Sequence, residues 1–186
     1  MKHKNVLWIT QTAIFLALLI AAQAFVANQF VRGSIVNFIL VASCILVGFS
    51  SAASLAVISP IFSFLILSVP IFPHLVPFII LGNFTIIAAV HFISGKSLRE
   101  EFGMPPLRVV AATVTGVVLK YLATYFGVVQ IALYLIPNIN ENQRAAMSLA
   151  FSWPQLVTAF IGAGLAVFVV PSIRKALNSN YSQNIR

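Results

Sequence analysis

LRVVAATVTGVVLKYLATYFGVVQIALYLI, from Leu107 to Ile136, runs for thirty residues with two charges, Arg108 beside its start and Lys120 inside it. About 20 apolar residues cross the roughly 30 Å hydrocarbon layer of a bilayer as a helix. This stretch is therefore a membrane span, and a long one. Its surplus length implies a tilted helix, one that projects outward, or one that breaks around Gly127.

Working outward from it, five more apolar runs follow the same rule, giving spans at roughly 7–27, 34–49, 52–67, 78–93, 107–136 and 145–170. Trp8 suits an interfacial anchor of the first span, which closes at Asn28-Gln29. Ser50-Ser51 and Ala52-Ala53 read as a tight small-residue turn between the second and third spans. Between Val69 and Pro77 three prolines remove backbone donors and disfavour helix in the residues before them, so this is a structured loop or re-entrant segment. The most polar connection is Ser94 to Pro106. Pro137 ends the fifth span, Pro154 is expected to kink the sixth in its first third, and the polar tail beyond Lys175 is expected to fray. The first run is too long for a signal-peptide core and lacks a cleavage pattern, so it reads as a retained helix. No repeat of 20 to 50 residues is visible, and the whole chain, 1–186, reads as one all-α transmembrane domain.

Composition agrees. The chain is 60% hydrophobic and 8% charged, with a mean hydropathy of +1.02. A soluble domain needs a polar shell, and here polar residues are confined to the connections. The formal charge of +8 would suggest nucleic acid in a soluble protein, but the bases sit at helix ends, without exposed aromatics among them. Their placement sets orientation instead. Lys2, Lys4, Lys96, Arg99, Arg108, Arg174, Lys175 and Arg186 fall on one side of six spans, and Arg32 and Arg144 on the other. Eight against two puts both termini in the cytoplasm of a multi-pass cell-membrane protein, and bacterial plasma membrane is the expected location.

Catalytic chemistry finds little to work with. The acids are Glu100, Glu101 and Glu141, all in connections; His3, His74 and His91 are dispersed; and Cys44, the single cysteine, lies in an apolar run. No metal-ligand spacing, cofactor motif or phosphate-cradling glycine loop occurs, so no enzyme, metal or cofactor is expected, and any ATP hydrolysis belongs to a partner. A coupled secondary transporter places titratable groups at membrane depth, and they are nearly absent. The pattern favours a receptor for an uncharged or weakly charged small molecule. Ala13, Ala17 and Ala21 recur every four residues on the first span. Such a stripe lets another helix approach closely, either a partner's or a neighbour within the bundle.

Taken together, the six spans, the cytoplasmic ends, the Ala13-Ala17-Ala21 stripe and the proline-rich loop after the third span resemble the S components of energy-coupling factor vitamin transporters, over nearly the whole chain. The resemblance implies capture of a vitamin from outside. It also implies that the alanine stripe docks on a transmembrane coupling subunit seated on two cytoplasmic ATPases, and that the subunit topples in the bilayer to release its ligand. Cobalamin is the first expectation for the ligand, then pantothenate or hydroxymethylpyrimidine. A stand-alone secondary transporter or channel is the alternative.

By the layout of that family, ligand sits near the outer face under the outer loops, which are the first, third and fifth connections. Those places hold Arg32 and Asn37, Phe72 and His74, and Asn138, Asn140 and Arg144, with Asn83, Lys120, Tyr121, Tyr125, Trp153 and Gln155 on the helices beneath. Asn83, midway down the fourth span, requires a hydrogen-bond partner, from ligand or from another helix. Lys120 lies thirteen residues after Leu107 and sixteen before Ile136. An ammonium at that depth costs about 3 kcal/mol on insertion scales, so it faces the bundle interior or a wet cavity. There it either binds a carboxylate, phosphate or amide carbonyl of the ligand, or serves a structural pairing.

Overall fold

The computed structural model describes residues 2–98 and 105–183; Arg99, Glu100, Glu101 and Arg186, which entered the reading above, lie outside the described residues. Among the described residues there are eight α-helices: α1 (Lys2–Phe25), α2 (Gln29–Leu46), α3 (Phe49–Leu67), α4 (Val76–Ser94), α5 (Leu107–Thr124), α6 (Leu133–Leu135), α7 (Glu141–Ala150) and α8 (Trp153–Gln183). A π-helical stretch, Tyr125–Ala132, joins α5 to α6, and the three form one continuous rod. Six helical segments are long and apolar enough to cross a membrane. Large apolar side chains such as Leu65, Phe92 and Phe160 stand outward on them, as a lipid-facing surface requires.

Local chemistry moves several helix boundaries away from the hydropathy minima. Asn28 caps α2, its side chain accepting from the backbone N–H groups of Phe30 at 2.9 Å and Val31 at 3.2 Å, so the helix begins at Gln29, before the expected start at 34. The turn into α3 lies at Val47-Gly48, not at Ser50–Ala53. Gly48 adopts φ +122°, a conformation side chains resist, and this makes the reversal in very few residues. The small residues that follow are used for packing. Ser51 Oγ accepts from Thr12 Oγ1 at 2.8 Å, and Ser50 Oγ accepts from Trp8 Nε1 at 3.2 Å, tying α1 to α3.

The proline loop is ordered. Ser68 ends α3 in the left-handed conformation, the Val69–Pro70 bond is cis, and Pro73–Leu75 forms a single 3₁₀ turn leading into α4. The surplus length of the fifth span is taken up by π-helix around Gly127, where a side chain on residue 127 would collide with Phe78. The sixth span is not one kinked helix. It breaks at Phe151-Ser152 into α7 and α8, and Pro154 sits in the first turn of α8, where its missing N–H has no partner to lose. Beyond Pro171 the helix continues to Gln183.

Packing sets α4 along α5 and α2 along α8, with α8 also against α5, and α1 and α3 flanking this four-helix centre. Two glycines permit the close pairs. A Cβ on Gly162 of α8 would strike the Ser34 carbonyl of α2, and one on Gly116 of α5 would meet the Ile86 carbonyl of α4 at 3.0 Å. The main core fills the half of the bundle near the termini, with Leu40, Val41, Ile86, Ile87, Val90, Val109, Val117 and Ala163 among its members. A separate small core of Leu75, Val128, Ala132, Leu133 and Ile136, joined by Phe72, Phe78, Met147 and Phe151, ties the proline loop to α6 and α7 at the other end.

Candidate functional site

Between those two cores lies a cavity of about 350 Å³. It sits at the end of the bundle where α1 and α3 finish and α2, α4 and α8 begin, opposite the N-terminus. Its walls come from α1 to α5, α7 and α8 and from the loop Val69–Ile71; Met147, Ala150 and Phe151 line it from α7 and its exit.

Three buried polar residues converge on it, each from a different helix. Asn37 of α2 is 1% exposed, Asn83 of α4 is 3% exposed and Lys120 of α5 is 3% exposed. Lys120 Nζ donates to Asn37 Oδ1 and to Asn83 Oδ1, both at 2.6 Å. The Asn37 amide is oriented by its own helix, Nδ2 donating to the Gly33 carbonyl at 2.8 Å. Without these acceptors an amino group so deep would be an unsatisfied buried donor, among the costliest features a helix bundle can contain. Interhelical pairing and cavity lining thus coincide in one side chain, so the structural and ligand-facing alternatives for Lys120 are not exclusive.

Of the thirteen residues picked from sequence, Arg32, Asn37, Asn83, Lys120 and Gln155 line the cavity. The other eight do not. Phe72 packs in the small core. His74 is exposed on the 3₁₀ turn. Tyr121 and Tyr125 stack on each other at 5.8 Å, and Tyr125 OH accepts from Gln130 Nε2 at 3.2 Å. Asn138 is an exposed turn residue at φ +57°. Asn140 is the N-cap of α7, in a reciprocal capping box with Gln143. Arg144 lies over the Tyr134 ring, 5.0 Å from its centroid. Trp153 is 55% exposed and packs against Phe30 on the outer surface.

Sequence reasoning passed over Gln23, Gln29, Gly33, Ser59, Thr124 and Thr158, which also line the cavity. A signal for part of this set existed. Gly33 lies four residues before Asn37, Thr124 four after Lys120 and Thr158 three after Gln155, so each shares a helix face with a residue already chosen. Ser59 and Gln23 had no such neighbour.

On α1 the buried side carries Thr12, Leu19 and Ala22, while Ala13, Ala17 and Ala21 are all exposed on the outward face. Their neighbours in the bundle are not what the stripe serves. Among the described residues no group of three His, Cys, Asp or Glu side chains could hold a metal ion. No known protein family, curated protein or solved structure matches this chain.

Proposed function

We propose that the chain is the substrate-binding S component of an energy-coupling factor importer, with both termini in the cytoplasm of the cell membrane. It captures a vitamin or vitamin precursor from outside and delivers it through a transmembrane coupling subunit and two ATPases. The observation that carries the reading is the cavity. Polar groups from helices far apart in sequence converge in it, at the end of the bundle opposite the basic termini. The exposed alanine stripe adds to it, since a flat, small-residue face on the lipid side suits a partner helix.

Cavity size orders the ligands. About 350 Å³ lies at the small end of the range for ligand pockets, roughly 300–1,000 Å³. A molecule built of one ring or one short chain fits it, as pantothenate and hydroxymethylpyrimidine do. Cobalamin, a corrin macrocycle with a nucleotide tail, does not fit inside and moves behind them.

One observation favours the alternative of a self-powered secondary transporter: Lys120 is a titratable group at membrane depth. Reconstitution separates the two. As an S component the purified chain binds one vitamin without ATP, and uptake into vesicles requires the coupling subunit and ATPases; uptake by this chain alone on an ion gradient would reject the reading. Ala17→Trp is expected to abolish assembly with the coupling subunit while leaving vitamin affinity unchanged, measured by co-purification and calorimetry. Intact assembly in that variant would remove the stripe from the docking surface.

A further inference from the structure

The charges around the cavity do not balance. Lys120 and Arg32 line it, and no Asp or Glu does. Glu141, a carboxylate among the described residues, is exposed in the first turn of α7. When Lys120 is protonated, two cations share a pocket walled by helices in a medium that screens charge poorly, with only neutral dipoles among the described lining residues to offset them.

Hydrogen-bond counting narrows what the pocket lacks. An ammonium has three N–H donors. Two are used on Asn37 Oδ1 and Asn83 Oδ1, which leaves the third. Asn37 Nδ2 is committed to the Gly33 carbonyl. Asn83 gives its oxygen to Lys120, and its Nδ2 meets no acceptor among the described residues. Two donors, one on Lys120 and one on Asn83, therefore remain on buried side chains that are themselves hydrogen-bonded to each other, and Arg32, Ser59 and Gln155 add further donors to the lining.

We propose that the cavity takes a monocarboxylate, its two oxygens received by Lys120 Nζ and Asn83 Nδ2 and its uncharged polar remainder running toward the mouth. This rests on the reading of the chain as a binding subunit. A carboxylate matches two adjacent donors and supplies the missing negative charge. A phosphate carries more charge and three acceptor oxygens, one more than the adjacent pair Lys120 Nζ and Asn83 Nδ2 can receive. A neutral ligand leaves both cations unbalanced, and a cationic ligand adds a third. Arg32 lies five residues before Asn37 on α2, about 7.5 Å nearer the start of that helix at 1.5 Å per residue. There it adds positive charge to the lining, which attracts anions and repels cations.

The test uses the full chain in lipid nanodiscs, with calorimetry and thermal shift against matched pairs: pantothenate with panthenol, nicotinate with nicotinamide, biotin with biotin amide, and thiamine as a cation. One acid is expected to bind at least about 30-fold more tightly than its neutral partner, the smallest loss usual when one member of a buried charge pair is removed. Lys120→Met is expected to erase that preference. Asn83→Asp is the variant that separates binding from folding. It places a carboxylate beside Lys120 within the protein, so the melting temperature should hold or rise while affinity for the acid falls by at least about 30-fold. Equal binding of acid and neutral partner, preference for thiamine, no acid bound at all, or Asn83→Asp keeping full affinity would each overturn the carboxylate assignment. Ion-driven uptake of an acid by the chain alone would instead overturn the S-component reading and leave this assignment standing.

Discussion

The two ends of the bundle handle positive charge in opposite ways. At the end that holds the termini, Arg108 Nε donates to the Ile93 carbonyl at 2.6 Å, and the Arg174 guanidinium reaches the carbonyls of Leu98 and Ile45. Ile93 and Ile45 belong to the last turns of α4 and α2, where backbone oxygens have no helical partner and the helix dipole is negative. The cations there are satisfied by groups that any helix end provides. At the cavity end Lys120 is in mid-helix, away from the free carbonyls of a helix end. It must recruit side-chain oxygens from α2 and α4. Arg108 is exposed and Arg174 partly so, whereas the donors left over on Lys120 and Asn83 are buried beside the cavity.

That contrast can be broken by mutation, and the effects should scale with burial. The largest is expected for Asn37→Leu, which leaves Lys120 with one acceptor in a buried site and removes a donor to Gly33. A loss of about 3 kcal/mol of stability follows from an uncompensated buried charge. Adding Lys120→Met should restore most of it, because removing both partners removes the unpaired charge. Unfolding in nanodiscs or mixed micelles reads both; strict additivity of the two changes would mean that the pair is not coupled.

Arg174→Ala comes next, at about 2 kcal/mol, since charge-assisted bonds to two carbonyls are lost at a half-buried position. Ligand affinity should stay within about twofold, as sites so far apart do not couple. A large loss of binding in this variant would show that the two ends are linked and would undo the contrast. Smallest is Arg108→Ala, about 0.5 kcal/mol, because an exposed side chain at one helix terminus gains little beyond the dipole interaction. If it proves as damaging as Arg174→Ala, burial is not what sets the order.

Much of this was legible beforehand, for a physical reason. Whether a segment crosses a membrane depends on the sum of its own side-chain transfer free energies, which is a local property, so six spans could be read from Lys4 to Arg174. Lys120 stood out by the same logic. Helix ends were harder to read. Asn28, Gly48 and Pro154 each fix a boundary by hydrogen bonding or backbone conformation, terms that hydropathy does not contain. At the loops, Asn138, Asn140 and Arg144 fall outside the cavity lining and are held in a turn, in a cap and over the Tyr134 ring, local arrangements that hydropathy does not reveal.

The sequence by itself determined that the chain is an all-helical membrane bundle with one cation too deep to reach water. Only the tertiary structure decided that Asn37 and Asn83, 83 and 37 residues away from Lys120, are its partners. That meeting depends on how far α2 and α4 rotate and how closely they approach, which Gly162 and Gly116 set through contacts with other helices. Transfer into lipid is additive along a chain, but the register between helices is a property of pairs, and no single helix contains it.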